Sequence, residues 1–575
     1  MSITLAAVYA PIAFMGGLTG SLFTEFAITL AAAVLISGVI ALTLSPMMCS
    51  KVLDHNIANV KFVQIVDRFF NKAKNFYERR LTSVLKYRIV VVVFAAIVLM
   101  GCAALALTTR KELAPQEDMG FLMSMMTGPE YANANYMNQY IPQIEKIFTQ
   151  LPGISDYFIV NGMGSVNSGI SGIVLKPWSD RSVSQKQTQQ TLQGEVAQVP
   201  GLQMFVFAMP PLPGAGGGPP VQFIITTLKD FKALNDAQQK LLADARNSGM
   251  FIFIDGDLKF NQPSLNLIID RDKAADLGVN MQDIGTTLSS LLSEGSINYF
   301  NAAESSYDVI PQLSRNFRFN PDDLKNIYIR SQNNVMVPLA SLASYTITAT
   351  PSALNQYQQA NDATISGLVK PGFTTGEALK FFQEDLQKNY PKGFGVGYSG
   401  ESRQLMQAGN SMVYTFVFAL IIIFLVLAAQ FESFRDPLVI LISVPMSICG
   451  ALLFLNVGIA SLNIYTEIGL VSLIGLISKH GILMVEFANK LQVEESLAPY
   501  EAIIKAAALR LRPILMTTAA MIFGVLPLIL SKGPGAVSRF DMGLVIATGM
   551  LIGTCFTLFV VPTMYTYLAK RHHAI

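Results

Sequence analysis

A lysine in the middle of a long apolar stretch is the residue of this chain best placed to do chemistry. The stretch NIYTEIGLVSLIGLISKHGILMVEFANKL, Asn463 to Leu491, has the length of a helix that crosses a bilayer. Lys479 lies roughly 15 Å or more from either end of it, at about 1.5 Å of helix per residue, so its ammonium cannot easily reach water. Because such a charge costs about 3 kcal/mol in the membrane, we expect it to face protein and to meet a carboxylate on another helix.

No other apolar segment carries a carboxylate at its centre. The nearest acidic residues lie at segment edges, or two turns along the lysine's own helix face: Glu25, Asp436, Glu467, Asp541 and Glu486. Two interpretations follow. Either Lys479 is a structural lysine, or its partner belongs to protein that this sequence does not contain. The neighbouring His480 is expected to pack between helices, with a role in carrying protons as the alternative.

Composition indicates an integral membrane protein with a sizeable water-soluble part. The 575 residues are 51% hydrophobic and 14% charged, and the mean hydropathy is +0.42. The net charge of +2 gives no reason to expect a nucleic-acid partner. All four cysteines fall in apolar segments, so neither a disulfide framework nor a CxxC metal site is predicted. No catalytic triad or phosphate-binding motif is evident, and we expect neither an enzyme nor a cofactor.

Apolar segments alternate with charged connections in the manner of a polytopic α-helical membrane protein. We predict a partial helix at 1–14, full spans at 25–52 and 89–107, and five spans within 410–570. The connection between the first two full spans carries nine Lys or Arg, which places it in the cytoplasm together with the C-terminus. Its residues 60–84 predict an amphipathic helix on the inner membrane surface, with a calmodulin-like target as the alternative.

The region between the second and third full spans predicts a large extracytoplasmic α+β module. Strand and helix signals follow the order β-α-β-β-α-β twice, which is the split βαβ pattern of ferredoxin-like subdomains. The first subdomain covers 114–210, and the linker PPLPGAGGGPP separates it from the second, at 220–260 and 353–405. An insertion at 261–352 is expected to supply a docking or oligomerisation surface.

The two ends of the chain resemble each other. Pro11 and Pro46 are 35 residues apart in similar surroundings to Pro527 and Pro562, which are also 35 residues apart. The opening therefore resembles the last two helices of a parallel repeat whose complete second copy follows, with chance similarity as the alternative. On this interpretation the first four spans and the first half of the extracytoplasmic region are missing.

Four motifs carry a resemblance to a known family. They are GLISKHGILMVEFAN at 475–489, RLRPILMTTAAMIFGVLPL at 510–528, APQEDMG at 114–120 and PLVILISVPMSICGALL at 437–453. The chain resembles the resistance-nodulation-division (RND) transporters, specifically the hydrophobe/amphiphile multidrug efflux pumps of Gram-negative inner membranes. The resemblance implies a proton-driven homotrimer that works with a periplasmic adaptor and an outer-membrane channel. It also implies export of hydrophobic or amphiphilic small molecules, with the porter and docking regions in the periplasm.

The resemblance implies a proton relay. In the family, two aspartates of the fourth span pair with a lysine of the tenth, assisted by a threonine and an arginine of the eleventh. By motif these are Lys479, Thr517 and Arg510, while the aspartates have no counterpart. The chain is therefore expected to need the missing half in trans, or to be a non-transporting structural or interfering fragment. A metal-ion exporter with a methionine relay is a further alternative.

The resemblance also implies a path for the exported compound. A flexible switch loop matches 162–172, with its glycines at Gly162, Gly164, Gly169 and Gly172. By position, the path would be lined by Phe158, Met163, Phe207 and Met209. Ordinary core packing is the alternative for each of these four side chains.

Overall fold

Long apolar helices bracket a sheet-rich region in the structure, which is a computed structural model. It describes the whole chain except Met1, Met15, residues 53–60, Gly164, residues 213–216, Glu294, Phe319, Ser352, Pro391 and residues 570–575. Two compact units are present. Unit 1 comprises Met1–Thr127, Tyr136–Asp257 and Asn355–Ile575, and unit 2 comprises Gly128–Asn135 and Leu258–Leu354.

Four helices open the chain: α1 (Ser2–Ala13), α2 (Gly17–Val52), α3 (Lys61–Lys86) and α4 (Arg88–Thr108). In α2 and α4 apolar side chains occur on every face, as in helices surrounded by lipid. Helix α3 differs, because its apolar residues concentrate on one side and most of its charged residues lie outside the centre of that side. The predicted amphipathic segment 60–84 therefore coincides with a single helix.

The first sheet is antiparallel and has the strand order β2-β3-β1-β4. Its elements are β1 (Phe121–Thr127), α5 (Ala134–Asn138), α6 (Ile141–Gln150), β2 (Ile154–Asn161), β3 (Ser168–Leu175), α7 (Gln185–Val196) and β4 (Gln203–Ala208). Ser184 and Gln187 form a capping box that begins α7. The first helix of the predicted β-α-β-β-α-β order is divided into α5 and α6, because the chain begins a new helix at Ile141, where Pro142 fits the first turn.

The second sheet repeats this order with a large insertion. It opens with β5 (Val221–Thr227), α8 (Phe231–Ser248) and β6 (Phe251–Gly256). Unit 2 follows, with β7 (Gln262–Ile269), α9 (Arg271–Asp276), α10 (Met281–Leu292), β8 (Asn298–Ala302), β9 (Ser305–Val309), β10 (Tyr328–Arg330), β11 (Met336–Pro338), α11 (Leu339–Leu342) and β12 (Ala343–Thr350). The sheet is completed by β13 (Asn355–Tyr357), β14 (Ala360–Val369), α12 (Thr375–Asn389) and β15 (Phe394–Tyr398). Strand β14 lies between β6 and β5, and β15 pairs with the far edge of β5.

A carboxylate ties together the two ends of the chain that flank the insertion. Asp257 accepts hydrogen bonds from the backbone N–H of Thr364 at 2.7 Å and from Nδ2 of Asn355 at 3.0 Å. Its own backbone N–H donates to the carbonyl of Thr364 at 3.1 Å. The insertion therefore leaves and re-enters unit 1 through a closed neck, and the β6–β14 pairing remains intact.

Six helices complete the chain: α13 (Gly400–Phe431), α14 (Arg435–Leu441), α15 (Ser443–Asn456), α16 (Ile464–Glu494), α17 (Pro499–Ile529) and α18 (Ala536–Leu568). Helices α14 and α15 together make one span, so seven spans are long and apolar enough to cross a membrane among the described residues. Helix α16 is the most enclosed, with 83% of its most apolar window buried. The helical core forms around it, mainly from side chains of α13 to α18, with contributions from α1 and α3.

Glycines allow α18 to approach its neighbours closely. A Cβ placed on Gly549 would lie 2.2 Å from Cδ2 of Leu473 on α16, and one on Gly553 would lie 2.6 Å from Oγ of Ser447 on α15. The Ser447 hydroxyl donates to the carbonyl of Gly549 at 2.8 Å. Small residues at such crossings bring helix backbones close enough for van der Waals contact and interhelical hydrogen bonds.

Candidate functional site

Lys479 lies on the most enclosed span and lines a cavity. The cavity has a volume of about 370 Å³ and is bounded by α1, α2 and α16. Its lining is small or apolar apart from the lysine, with Ser2, Thr4, Leu5, Val8, Ala33, Val34, Ser37, Gly475, Ser478 and Ile482 as the other members. Gly475, one turn before the lysine, lets α1 approach, since a Cβ there would lie 2.9 Å from Cδ1 of Leu5. The half-buried Lys479 therefore faces a partly open cavity between three helices.

No described carboxylate lies within 4.0 Å of the Lys479 ammonium. Lys490, farther along the same helix, instead pairs with Glu494 at 3.6 Å, and both of those side chains are exposed. The acidic residues Asp436, Glu467 and Asp541 lie near the ends of their spans, as the sequence indicates. The charge of Lys479 thus has no counterion among the parts of the chain that the structure describes.

The two other predicted relay residues lie on α17, which packs against α16. The guanidinium carbon of Arg510 lies 4.5 Å from the centroid of the Phe487 ring on α16, and its buried Nε has no described partner. The Thr517 hydroxyl lies 3.0 Å from the carbonyl oxygens of both Pro513 and Ile514 in its own helix. The structure places the three residues on adjacent helices, and neither Arg510 nor Thr517 hydrogen bonds to Lys479.

His480 belongs to a buried polar cluster on the other side of α16. Its Nε2 lies 3.4 Å from Oγ1 of Thr518, and its Nδ1 lies 3.4 Å from Oγ1 of Thr554. The two threonine oxygens are 3.2 Å apart. Each hydroxyl also lies within hydrogen-bond distance of a backbone carbonyl in its own helix, at Ile514 and Met550. His480 therefore joins α16 to α17 and α18, as expected of a residue that packs between helices.

A second polar network joins the sheet-side ends of the spans. The segment after α4 pairs with the segment before α16, where the backbone N–H of Glu112 donates to the carbonyl of Leu462 at 3.1 Å. The Ser461 hydroxyl donates to the Glu112 carboxyl, and Nδ2 of Asn463 donates to Oδ2 of Asp541 at 2.7 Å. Burial raises the pKa of Glu112 above its ordinary value, an effect that the Ser461 hydroxyl opposes.

A third network lies at the opposite ends of the spans. Nδ2 of Asn489 donates to Oδ2 of Asp436 at 3.2 Å, and the Tyr565 hydroxyl donates to Oδ1 of Asn489 at 2.5 Å. Nε2 of Gln492 donates in turn to the Tyr565 oxygen at 2.6 Å. Asp436 is 1% exposed, and its Oδ1 has no described partner. This series of side-chain hydrogen bonds links α14, α16 and α18.

The predicted path residues lie on or beside the first sheet. Phe158 pairs with Gly172, Gly172 with Met123, and Met123 with Phe207, so these four positions form one row across the sheet. Directly opposed residues project to the same face. The ring of Phe158 covers Gly172, where a Cβ would lie 2.1 Å from Cε1 of the ring. Phe207 is buried at 4% exposure.

The other two predicted path residues are more open to solvent. Met163 is 57% exposed in the turn between β2 and β3, and Met209 is 39% exposed just after β4. The predicted switch loop is shorter than the range 162–172, because β3 begins at Ser168 and contains Gly169 and Gly172. Gly162, at φ 80°, opens the turn. Gly164 lies outside the described residues.

The polar networks are what sequence reasoning missed. Asn489, Thr518 and Thr554 interrupt apolar helices and Asn463 precedes one, and amides or hydroxyls at such positions indicate hydrogen bonds between helices. Their pairing depends on which helix faces which, so it could not be deduced from spacing along one helix. Within the described residues, no group of three or more His, Cys, Asp or Glu is arranged to hold a metal ion.

A family model and several known proteins match this chain over almost its whole length. The model of the AcrB/AcrD/AcrF family covers residues 1–569. An uncharacterised transporter of Haemophilus influenzae is 40% identical over 100% of this chain and 56% of its own length. The multidrug/solvent efflux pump membrane transporter MepB of Pseudomonas putida is 30% identical over 99% of this chain, and the multidrug resistance protein MdtF of Escherichia coli K12 is 29% identical over 98%; each is covered over 56% of its length. The chain thus spans about half the length of the curated relatives it matches.

Proposed function

This chain belongs to the AcrB/AcrD/AcrF family of transporters, and we propose that it acts as an inner-membrane subunit of a proton-driven pump that exports hydrophobic and amphiphilic compounds. The RND efflux transporter predicted from the four motifs is confirmed, and its apolar spans make it a multi-pass membrane protein. The names of the Pseudomonas putida and Escherichia coli relatives, a multidrug/solvent efflux pump and a multidrug resistance protein, support the substrate class.

The observation that carries the proposal is the environment of Lys479. Lys479 lies at mid-span, lines a partly open cavity of about 370 Å³ and has no described carboxylate within 4.0 Å of its ammonium. A cation held at that depth requires compensation by negative charge. We propose that carboxylates in the part of the relatives that this chain does not cover supply this charge beside the cavity.

Proton coupling would then follow from electrostatics. A carboxylate attracts the ammonium while it is ionised, and protonation cancels that attraction, so Lys479 changes partner. Arg510 rests on Phe487 of α16, so a shift of the lysine's helix would carry α17 with it. In this proposal the Thr517 hydroxyl gives up its hydrogen bond to a carbonyl of its own helix and bonds to a group of the proton relay instead. Both residues thereby assist Lys479 in moving protons across the span.

The sheet region would carry the exported compound. We propose that the two β-α-β-β-α-β sheets are ferredoxin-like porter subdomains in the periplasm, and that unit 2 is part of a docking domain for an adaptor and an outer-membrane channel. Phe158, Met163, Phe207 and Met209 would line the path, with the turn opened by Gly162 as the switch loop. Flexible methionine and aromatic surfaces accept varied apolar ligands. The working pump would be a homotrimer, with its C-terminus in the cytoplasm.

The test is drug export by the chain supplied together with the part of its relatives that it does not cover. Lys479→Ala should reduce export to the background of cells without a pump, because the counterion switch is lost, while insertion into the membrane is retained. Lys490→Ala is the matched control, since it removes an exposed lysine from the same helix. Export by Lys479→Ala at the level of Lys490→Ala would show that the lysine is structural.

A second candidate is a non-transporting structural or interfering subunit. It is favoured by the same Lys479, whose ammonium has no described carboxylate within 4.0 Å. One measurement distinguishes the two candidate functions. An interfering subunit lowers export when it is expressed beside a complete pump, and Lys479→Ala leaves that effect unchanged.

A further inference from the structure

Helix α3 is fixed to the protein along one side. Tyr77, Leu81 and Leu85 are at most 5% exposed, and the Tyr77 hydroxyl donates to the carbonyl of Leu558 on α18 at 2.5 Å. The Asp67 carboxylate pairs with Arg512 of α17 at 2.7 Å. A buried apolar side, a buried hydrogen bond and an ion pair therefore hold the helix against α17 and α18.

A second apolar ridge on α3 is largely exposed in the part of the chain that the structure describes. Ile65, Phe69 and Phe76 are 60–65% exposed. At about 100° per residue these three side chains fall within an arc of about 40°, centred roughly 140° around the helix from Leu81 and its buried neighbours. The exposed ridge is therefore distinct from the side that packs on the bundle.

A stripe of cations runs beside this ridge. Its five members are all exposed and are separated by seven, four, seven and seven residues: Lys61, Arg68, Lys72, Arg79 and Lys86. These intervals place them within an arc of about 40°, roughly 60° from the exposed ridge, over about 37 Å of helix. None of the five forms an ion pair with a described carboxylate.

The charge of α3 is strongly one-sided. The helix contains seven Lys or Arg and two acidic residues, Asp67 and Glu78, which leaves a net charge of +5. Asp67 is already paired with Arg512, so it does not neutralise the stripe. Helix α3 lies between α2 and α4, both of which are spans, so each of its ends is tied to the same side of the membrane.

We propose that this side of α3 is a binding surface for anionic phospholipids. Lipid phosphates would lie on the cation stripe, while the ridge of Ile65, Phe69 and Phe76 enters the boundary between headgroups and acyl chains, about 5–10 Å deep. Each cation near an anionic surface strengthens binding by about fivefold. The surface requires only that α2 and α4 span the membrane, so it stands independently of the proposed transport activity.

An acidic protein partner fits the same surface less well. A partner of the calmodulin kind surrounds its target helix. Here the side of α3 formed by Tyr77, Leu81 and Leu85 is occupied by α17 and α18, and the tethers at both ends hold the helix at the membrane. Only the side of α3 with the exposed ridge and the cation stripe remains accessible. A flat, negatively charged membrane surface can cover that side without surrounding the helix.

The experiment measures lipid binding to the whole chain in detergent. Native mass spectrometry follows titration with phosphatidylglycerol, and in parallel with phosphatidylcholine of the same acyl length. Phosphatidylglycerol should bind at least about tenfold more tightly, and added salt should weaken that binding. The variant R68Q/K72Q/R79Q should lose this preference. Equal binding of the two lipids by the unmodified chain would overturn the proposal.

Two variants and one further ligand sharpen the test. K232Q/K240Q/K380Q removes the same charge from exposed positions on α8 and α12 and should bind as the unmodified chain does. R68K/R79K keeps the charge and should retain the preference, whereas retention by R68Q/K72Q/R79Q would contradict the assignment. Phosphatidylglycerol should raise the melting temperature of the chain, and inorganic phosphate should not. An equal rise with the two ligands would mean that the stripe is a site for free anions and not for lipids.

Discussion

Glu112 connects the charge state of one residue to the stability of the fold. It lies outside the spans, its carboxyl accepts the Ser461 hydroxyl, and burial raises its pKa above the ordinary value of 4.5. A raised pKa means that the folded state favours the neutral form. The contribution of this residue to stability is therefore fully present below pH 4.5 and is lost as pH rises through the raised pKa.

Glu112→Gln should remove this dependence. The amide keeps an acceptor for Ser461 but cannot ionise, so the variant should match the unmodified chain at low pH and become the more stable of the two as pH rises. Melting temperatures in detergent over a pH series, compared as a difference between the two chains, measure the effect. A difference that is constant with pH would contradict the raised pKa. Ser461→Ala should move the transition to higher pH, because the charged form loses its hydroxyl donor.

Gly172 is a position where the absence of a side chain matters. A Cβ there would lie 2.1 Å from the Phe158 ring, so Gly172→Ala must displace that ring from the sheet. We expect a loss of about 1–3 kcal/mol in stability from overpacking. If Phe158 lines the path, the range of exported compounds should also change. Thermal melting and export profiles measure the two effects, and Gly194→Ala, with open space around its Cβ, is the control. An unchanged melting temperature would show that the ring moves freely.

At the scale of elements, α18 depends on its glycines. Gly553→Leu would place side-chain atoms where Ser447 lies, since a Cβ alone comes within 2.6 Å of the Ser447 Oγ. The α15–α18 crossing should open and break the hydrogen bond from Ser447 to the carbonyl of Gly549. We expect a loss of about 1–3 kcal/mol, measured as a lower melting temperature in detergent. Gly524→Leu on α17 is the matched control, because nothing lies within 4 Å of its Cβ; equal melting of the two variants would contradict the prediction.

Most of these elements could be predicted from sequence, because each depends on a local pattern. The helices predicted at 60–84 and 89–107 coincide with α3 and α4 to within a few residues. The predicted bounds were wrong where a single residue departs from the structure that the surrounding pattern indicates. Pro142 begins a new helix inside a helical pattern, and glycines that suggested a loop lie in β3, which pairs with two other strands.

The site could be predicted only in part. Lys479 is conspicuous by its charge alone, and its motif indicated Arg510 and Thr517. The bonds among Asn463, Asp541 and Ser461 join segments that are distant in sequence, and no periodicity within one helix specifies such a pairing. The contacts of His480 with Thr518 and Thr554 could not be predicted for the same reason, because they depend on how three helices cross.

At the scale of the whole molecule, the environment of Lys479 sets the main expectation. No described carboxylate lies within 4.0 Å of its ammonium, and the chain spans 56% of the length of the relatives it matches. Susceptible cells should therefore accumulate a drug normally when they express this chain alone, and should accumulate less when they also receive the remaining part. Drug uptake by the two kinds of cell is the measurement. Lower accumulation with this chain alone would mean that a carboxylate at a span edge reaches the lysine.

The neck at Asp257 also determines what the second sheet requires of unit 2. Unit 2 follows Asp257, the residue after β6, and ends before Asn355, which begins β13, and a side-chain hydrogen bond joins Asp257 and Asn355. Asp257 also holds the backbone of Thr364 within β14. The two ends of the insertion are thus kept side by side by residues of unit 1, so the sheet closes without any contribution from the 97 residues between them.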